Sequence, residues 1–184
     1  MIRRWISISV VIMLMSVTCT CVLAQATFEE PVLLTSAGQS ADVTMANALC
    51  KKAGLSAEVK SLASPDDLKG VKTLALVAGF SSKGLGAAGI SREQEMKRVE
   101  GLIAEAKKSG VRILTLHIGG SARRGNQSDD FNTLAAQSAH HLIVVQQGDE
   151  DGFFSGIATK RKIPIDLVEK IAGAVQPLKK VFGK

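Results

Sequence analysis

The sequence contains no tyrosine, one tryptophan and six phenylalanines in 184 residues. With so few rings the core has to be assembled from Val, Ile, Leu and Ala, which suits a parallel sheet covered by helices. The same scarcity argues against a surface that recognises sugars or bases by stacking. Cysteine is rarer still. Of the three, Cys19 and Cys21 fall in an N-terminal segment expected to be removed, so Cys50 has no internal disulfide partner. Cys50 shares an apolar helical register with Val43, Ala46, Leu49 and Ala53, which reads as a buried structural residue, not a nucleophile. Charge of either sign is not in large excess. The formal +6 falls by two when Arg3 and Arg4 are lost. No basic stripe carries interleaved aromatics, so nucleic acid is not an expected partner. No His or Cys stands at ligand spacing from His117, so no metal site is expected. No cofactor follows from the sequence.

What is present begins with an export signal. Arg3 and Arg4 form a positive head, residues 5–15 are apolar apart from Ser7 and Ser9, and Ala24-Gln25-Ala26 is a small-x-small cleavage site. Residues 1–26 are therefore expected to be a signal peptide and residues 27–184 a single secreted or periplasmic domain. Residues 5–24 are also long enough to span a bilayer as an anchor. Ser, Thr and Ala in their second half favour removal, which confines membrane contact to this segment before cleavage. Lipid attachment at Cys19 or Cys21 is disfavoured by the Thr before each.

The rest alternates apolar runs with amphipathic stretches. Residues 31–35, 57–61, 72–78, 111–117 and 141–146 read as strands, the second too polar for anything but an edge. Helices are expected from about 41 to 53 with Ser40 as cap, from 91 to 108 with a Ser91/Gln94 capping box, and after Ser128 as cap. Residues 152–160 read as a short helix and 163–165 as extended, since Pro disfavours helix before it. A last helix is expected from about 166, kinked or ended by Pro177. The pattern implies a three-layer α/β fold: a doubly wound, parallel, five-stranded sheet of flavodoxin-like order 2-1-3-4-5.

Such sheets bind ligands beyond the carboxyl ends of their strands. The glycine- and serine-rich segments 36–40, 79–90 and 118–127, with the polar segment 147–152, all leave that end, whereas the turns at the other end are short. Backbone N–H groups at helix starts attract anions, and paired arginines clamp carboxylates or phosphates. The candidate binding residues are Ser36, Gly38, Gln39 and Ser40; Ser81, Ser82, Lys83 and Gly84; and His117, Gly119, Gly120, Arg123 and Arg124. Tight turns and solvated charges explain any one of them better; for the three loops together the two readings are even. Gly84-Leu-Gly-Ala-Ala-Gly89 matches G-x-G-x-x-G, but it lies in a loop, neither after a strand nor opening a helix, so a dinucleotide site is not supported. Leu85 stands where a phosphate loop requires Lys. Asp149, Glu150 and Asp151 read as a solvated acidic turn.

Gly38-Gln39-Ser40 resembles the opening of secreted carbohydrate esterases of the SGNH-hydrolase type. That resemblance implies Ser40 as nucleophile, with His117 as the available base. The family's late Asp-x-x-His segment is absent, since no histidine follows His141. Segments 33–42, 79–90 and 117–125 together resemble a family of uncharacterised secreted bacterial proteins known only as a domain of unknown function. This resemblance runs from about residue 31 to 181, implies a bacterial exported protein and transfers no activity. Three functions follow: an exported domain binding a small polar or anionic ligand, a secreted esterase using Ser40 or His117, and an accessory subunit that binds a protein partner.

Overall fold

The protein is described here from a computed structural model, in which residues 28–184 are described. The expected signal peptide, with Cys19, Cys21 and the cleavage site, lies outside these residues.

Four strands form the centre: β1 (Val32–Ala37), β3 (Thr73–Ala78), β4 (Arg112–His117) and β5 (His141–Val145). Every residue of β1, β3 and β5 is buried, which accounts for apolar runs without alternation: helices cover both faces. The polar edge strand is β2 (Ala57–Val59). All pairings are parallel, and the order is β2-β1-β3-β4-β5 followed by a sixth strand at the far edge. The α/β doubly wound fold is as expected, extended by one strand. β6 (Ile165–Val168) takes in residues expected to begin the last helix. The backbone of β5 captures them: Leu142 pairs with Ile165 and Val145 with Val168, and the Leu142 N–H donates to Pro164 O. The last helix, α6 (Val175–Val181), therefore starts later. Pro177 sits in its first turn, where an N–H has no intrahelical acceptor, so the helix continues through it.

On one face α1 (Asp42–Lys52) and α6 cover Leu34, Val77, Leu116 and Ile143. On the other, α3 (Arg92–Lys108) covers Leu33, Leu74, Leu76 and Ile113. Beside it α4 (Asn126–Ser138) and α5 (Phe153–Arg161) cover Leu142 and Val144. Each such side chain contributes about 2–3 kcal/mol relative to exposure. Cys50 is buried among the residues of the first face, and burial pushes its thiol up to about 11. The capping box of α3 forms, with Gln94 N–H donating to Ser91 Oγ at 3.2 Å and Ser91 N–H to Gln94 Oε1 at 2.7 Å.

Two loop readings change. Residues 79–90 are not all loop: α2 (Ser82–Ala88) forms inside them, with Ser81 Oγ accepting from Gly84 N–H and left-handed Gly89 as its stop. And α4 starts at Asn126 after Gly125, so Ser128 lies within the helix, buried, its Oγ accepting from Phe80 N–H.

Candidate functional site at the carboxyl end of the sheet

Because all six strands are parallel, the exits of β1, β3, β4 and β5 stand at one end, as do the helix starts that follow them. The exits of β1 and β3, where strand order reverses, are zipped together. Gly79 N–H donates to Ala37 O at 3.0 Å, Ser81 N–H donates to Gly38 O at 2.8 Å, and Gln39 bridges Phe80. The close approach requires glycine. A Cβ at Gly38, whose φ is +108°, would stand 2.6 Å from Gly79 O, and one at Gly84 would stand 1.8 Å from Gln39 O. This crevice is thus filled by the chain's own backbone.

Beneath it lies a buried ion pair that the sequence reading missed. Glu95 has no exposed surface. It accepts from Arg98 Nε at 2.7 Å and Nη2 at 2.8 Å, from Gly38 N–H at 2.9 Å and from Gln39 Nε2 at 3.1 Å. Arg98 also donates to Ala63 O and Ser36 O. Helix α3 therefore anchors the β1 exit. The signal was available in the i,i+3 Glu–Arg spacing, but that spacing usually marks an exposed pair.

Ser40 and His117 are both buried and both engaged with the backbone. Ser40 Oγ accepts from Asp42 N–H at 3.1 Å, but Ser40 is not the cap expected of it: α1 begins at Asp42, and Ala41 holds the cap position. His117 places Nδ1 3.2 Å from Ala78 O and Nε2 3.1 Å from Gly120 O. Its ring lies 4.6 Å from that of Phe154, centroid to centroid. Burial holds its pKa below the ordinary value, against the upward pull of the two carbonyls. Among the described residues no hydrogen bond joins Ser40 to His117.

The arginines are braced by acids. Arg123 Nε donates to Asp42 Oδ2 at 3.1 Å, and its stem fills the space where a Cβ on Gly119 would go. Arg124 makes a two-pronged contact with Asp151 at 2.9 and 2.8 Å, binds Asp129 at 2.8 Å, and lies 4.2 Å above the Phe153 ring. These hydrogen bonds raise the Arg124 pKa and hold Asp151 down at about 2. The Asp129 carboxyl also sits below its ordinary range: burial opposes ionisation, but Arg124, Asn132 and the Gly125 N–H outweigh it. Asp149 instead caps α5, accepting from Phe154 N–H at 2.6 Å and Ser155 N–H at 3.1 Å.

Open space remains one strand further along, between the exits of β3 and β4. A cleft of about 580 Å³ is lined by residues 80–83 and 122–128. Of the expected site residues it brings together Ser81, Ser82, Lys83, Arg123 and Arg124. Asn126, Gln127 and Ser128 of α4 join them, unforeseen except for the cap assigned to Ser128. Ser36, Gly38, Gln39, Ser40 and His117 lie buried beneath, and Gly84 packs on Gln39. Gly119 and Gly120 line a separate recess of about 420 Å³ with Gln147, Glu169 and Lys170. Lys83 is exposed and, among the described residues, forms no ion pair. Among the described residues no group of three or more His, Cys, Asp or Glu is arranged to hold a metal ion.

Among solved structures the chain is similar to a GDSL-like lipase from Bacteroides thetaiotaomicron, at 10% identity and a TM-score of 0.36, over 79% of this chain and 70% of that one. It is also similar to AlinE4, an SGNH-hydrolase family esterase, at 13% identity and a TM-score of 0.31, over 81% and 79%. No curated protein matches the chain. The family described as "Domain of unknown function (DUF6305)" matches residues 29–182, and the chain belongs to that family.

Proposed function

We propose that this chain is an exported, single-lobed binding domain that holds a small polar or anionic ligand in the cleft between the β3 and β4 exits. The observation that carries the reading is Lys83. It is the cation lining this cleft that no carboxylate offsets, whereas Arg123 and Arg124 are each held by acids. A ligand carrying one negative charge meets Lys83 and the first N–H groups of α4, which point out of the helix start. Its hydroxyl or carbonyl groups meet Ser81, Ser82, Asn126 and Gln127. The braced arginines give the wall a fixed shape, so little ordering is required on binding. A multiply charged ligand is disfavoured, because Asp42, Asp129 and Asp151 offset the arginine charge.

The esterase reading requires a serine with a base in hydrogen-bond reach. At Ser40 and His117 those positions are taken by backbone groups, so the binding reading is preferred.

Native mass spectrometry of the purified chain, followed by a thermal-shift screen of small carboxylates, phosphate and polyols, tests the proposal. A co-purifying or stabilising compound whose effect is lost in Lys83→Gln is expected. Silence across the panel would overturn it in favour of a protein-binding role. Ester turnover abolished by Ser40→Ala would overturn it in favour of the hydrolase.

A further inference from the structure

The opposite end of the sheet carries a different chemistry. Cations are favoured in the last turn of a helix, where they meet the negative pole of its dipole. In a doubly wound fold each helix runs back against the strands, so every crossover helix ends at the amino end of the sheet. The two rules together concentrate positive charge there. Lys51 and Lys52 end α1, Lys107 ends α3, Lys160 and Arg161 end α5, and Lys180 ends α6. Lys72 and Arg112 add to them at the starts of β3 and β4.

The acids of this end are largely matched already. Glu30 pairs with Lys184, Asp66 with Lys69, and Glu105 with Lys108. Glu29 forms no ion pair among the described residues, and Asp166 bonds His141, whose pKa burial holds below its ordinary value. By contrast Lys51, Lys52, Lys72, Lys107, Lys160 and Lys180 are exposed and form no ion pair among the described residues. The carboxyl end shows the reverse pattern, with its arginines neutralised. The domain is therefore electrically polar along the strand axis: Lys83 is the uncompensated cation in the ligand cleft, whereas six such lysines stand at the opposite end.

Phe28 lies on this same basic end. It is 2% exposed, its N–H donates to Val181 O at 2.7 Å, its ring is 5.9 Å from that of Phe182, and the Arg112 guanidinium lies 5.1 Å above it. The chain ahead of Phe28 thus joins the domain here. The apolar run 5–24 is separated from Phe28 by residues 25–27 alone, which span about 10 Å at most. For as long as that run stays attached, a membrane that holds it faces the basic end of the domain, and headgroup charge acts on lysines within a Debye length, about 8–10 Å.

From this we infer that the amino end of the sheet is a docking face for an anionic phospholipid surface. It orients the domain with its basic end on the membrane and its ligand cleft toward solvent. The inference takes its orientation from the export reading and does not depend on the cleft having a ligand.

The test is vesicle co-sedimentation of the chain lacking residues 1–26, which retains every described strand and helix, with a cooperative thermal transition as the check on folding. Vesicles containing about one-third phosphatidylglycerol are compared with pure phosphatidylcholine. Binding to the anionic vesicles alone is expected, lost as salt rises from about 0.05 to 0.5 M. Removing a cation near an anionic surface weakens binding about fivefold. The combined variant Lys51→Gln/Lys107→Gln/Lys160→Gln/Lys180→Gln should therefore abolish it, while Lys83→Gln at the far end leaves it unchanged. If the combined variant fails to fold, the salt and lipid dependence of the unsubstituted chain still decides. Equal binding to both vesicles, no binding, or equal loss in Lys83→Gln would overturn the inference. Tight capture by soluble polyphosphate with none by vesicles would also overturn it, in favour of an anionic polymer.

Discussion

Replacing Glu95 by alanine should be among the most damaging single changes to the carboxyl-end rim. Glu95 is wholly buried and receives two hydrogen bonds from Arg98, one from Gly38 N–H and one from Gln39. Truncation leaves Arg98 facing only carbonyl and hydroxyl oxygens and leaves the Gly38 amide without an acceptor. Removing one partner of a buried ion pair costs about 3–5 kcal/mol, because the remaining charge is stranded. In a domain of this size each kcal/mol shifts the melting temperature by about 2–4 °C, so a drop of roughly 10 °C is expected. Urea unfolding monitored by circular dichroism measures the loss, and hydrogen exchange at Gly38 and Gln39 locates it in the β1 exit. Glu95→Ala/Arg98→Met removes both charges and should cost about 2 kcal/mol less than the sum of the single changes. A loss below about 1 kcal/mol for Glu95→Ala, or strict additivity in the double variant, would refute the assignment of this pair as the anchor of the rim.

Two further outcomes follow from close packing and from burial. Gly84→Ala should destabilise by more than about 2 kcal/mol, because its Cβ meets backbone oxygen Gln39 O at 1.8 Å. Gly86→Ala, on the same helix with open space at its Cβ, should instead stabilise by about 0.5–1 kcal/mol, and thermal unfolding of the two compares them directly. Burial lowers the pKa of His117, His140 and His141 from the ordinary 6.5, outweighing the carbonyls beside His117 and the Asp166 carboxylate beside His141, which pull upward. The unfolded chain then binds protons that the folded one refuses, so stability is fully present above about pH 6.5 and falls as pH drops below it. Urea midpoints between about pH 8 and 5.5 should decline on the acid side, and a flat profile would contradict the neutral state of the buried His117 and His141 and the half-buried His140.

Much of the fold was legible because β1, β3, β4 and β5 are built around Val, Leu, Ile and Ala and are buried on both faces, a pattern that needs no knowledge of neighbours. The Ser91/Gln94 cap was equally local. β6 was not, since Ile165–Val168 becomes a strand only through the exposed edge of β5 that it pairs with. In the candidate site, the clustering of the Ser, Gly and Arg segments at one end followed from parallel topology. Which of them line open space did not. Ser40 and His117 look like reactive groups in one dimension and are enclosed by backbone in three. Arg123 and Arg124 look like an anion clamp until Asp42, far away in sequence, and Asp151, on another loop, are seen to hold them.

By itself the chain's pattern of apolar runs, glycine loops and helix-ending lysines determined the layered architecture and the end at which each loop emerges, because hydrophobic period and helix polarity are local properties. Tertiary structure alone decided that the β1/β3 crevice is closed, that the cleft opens beside Lys83, and that the unpaired cations share a face. Those outcomes depend on distances between segments far apart in sequence, and only packing brings such segments within reach of one another.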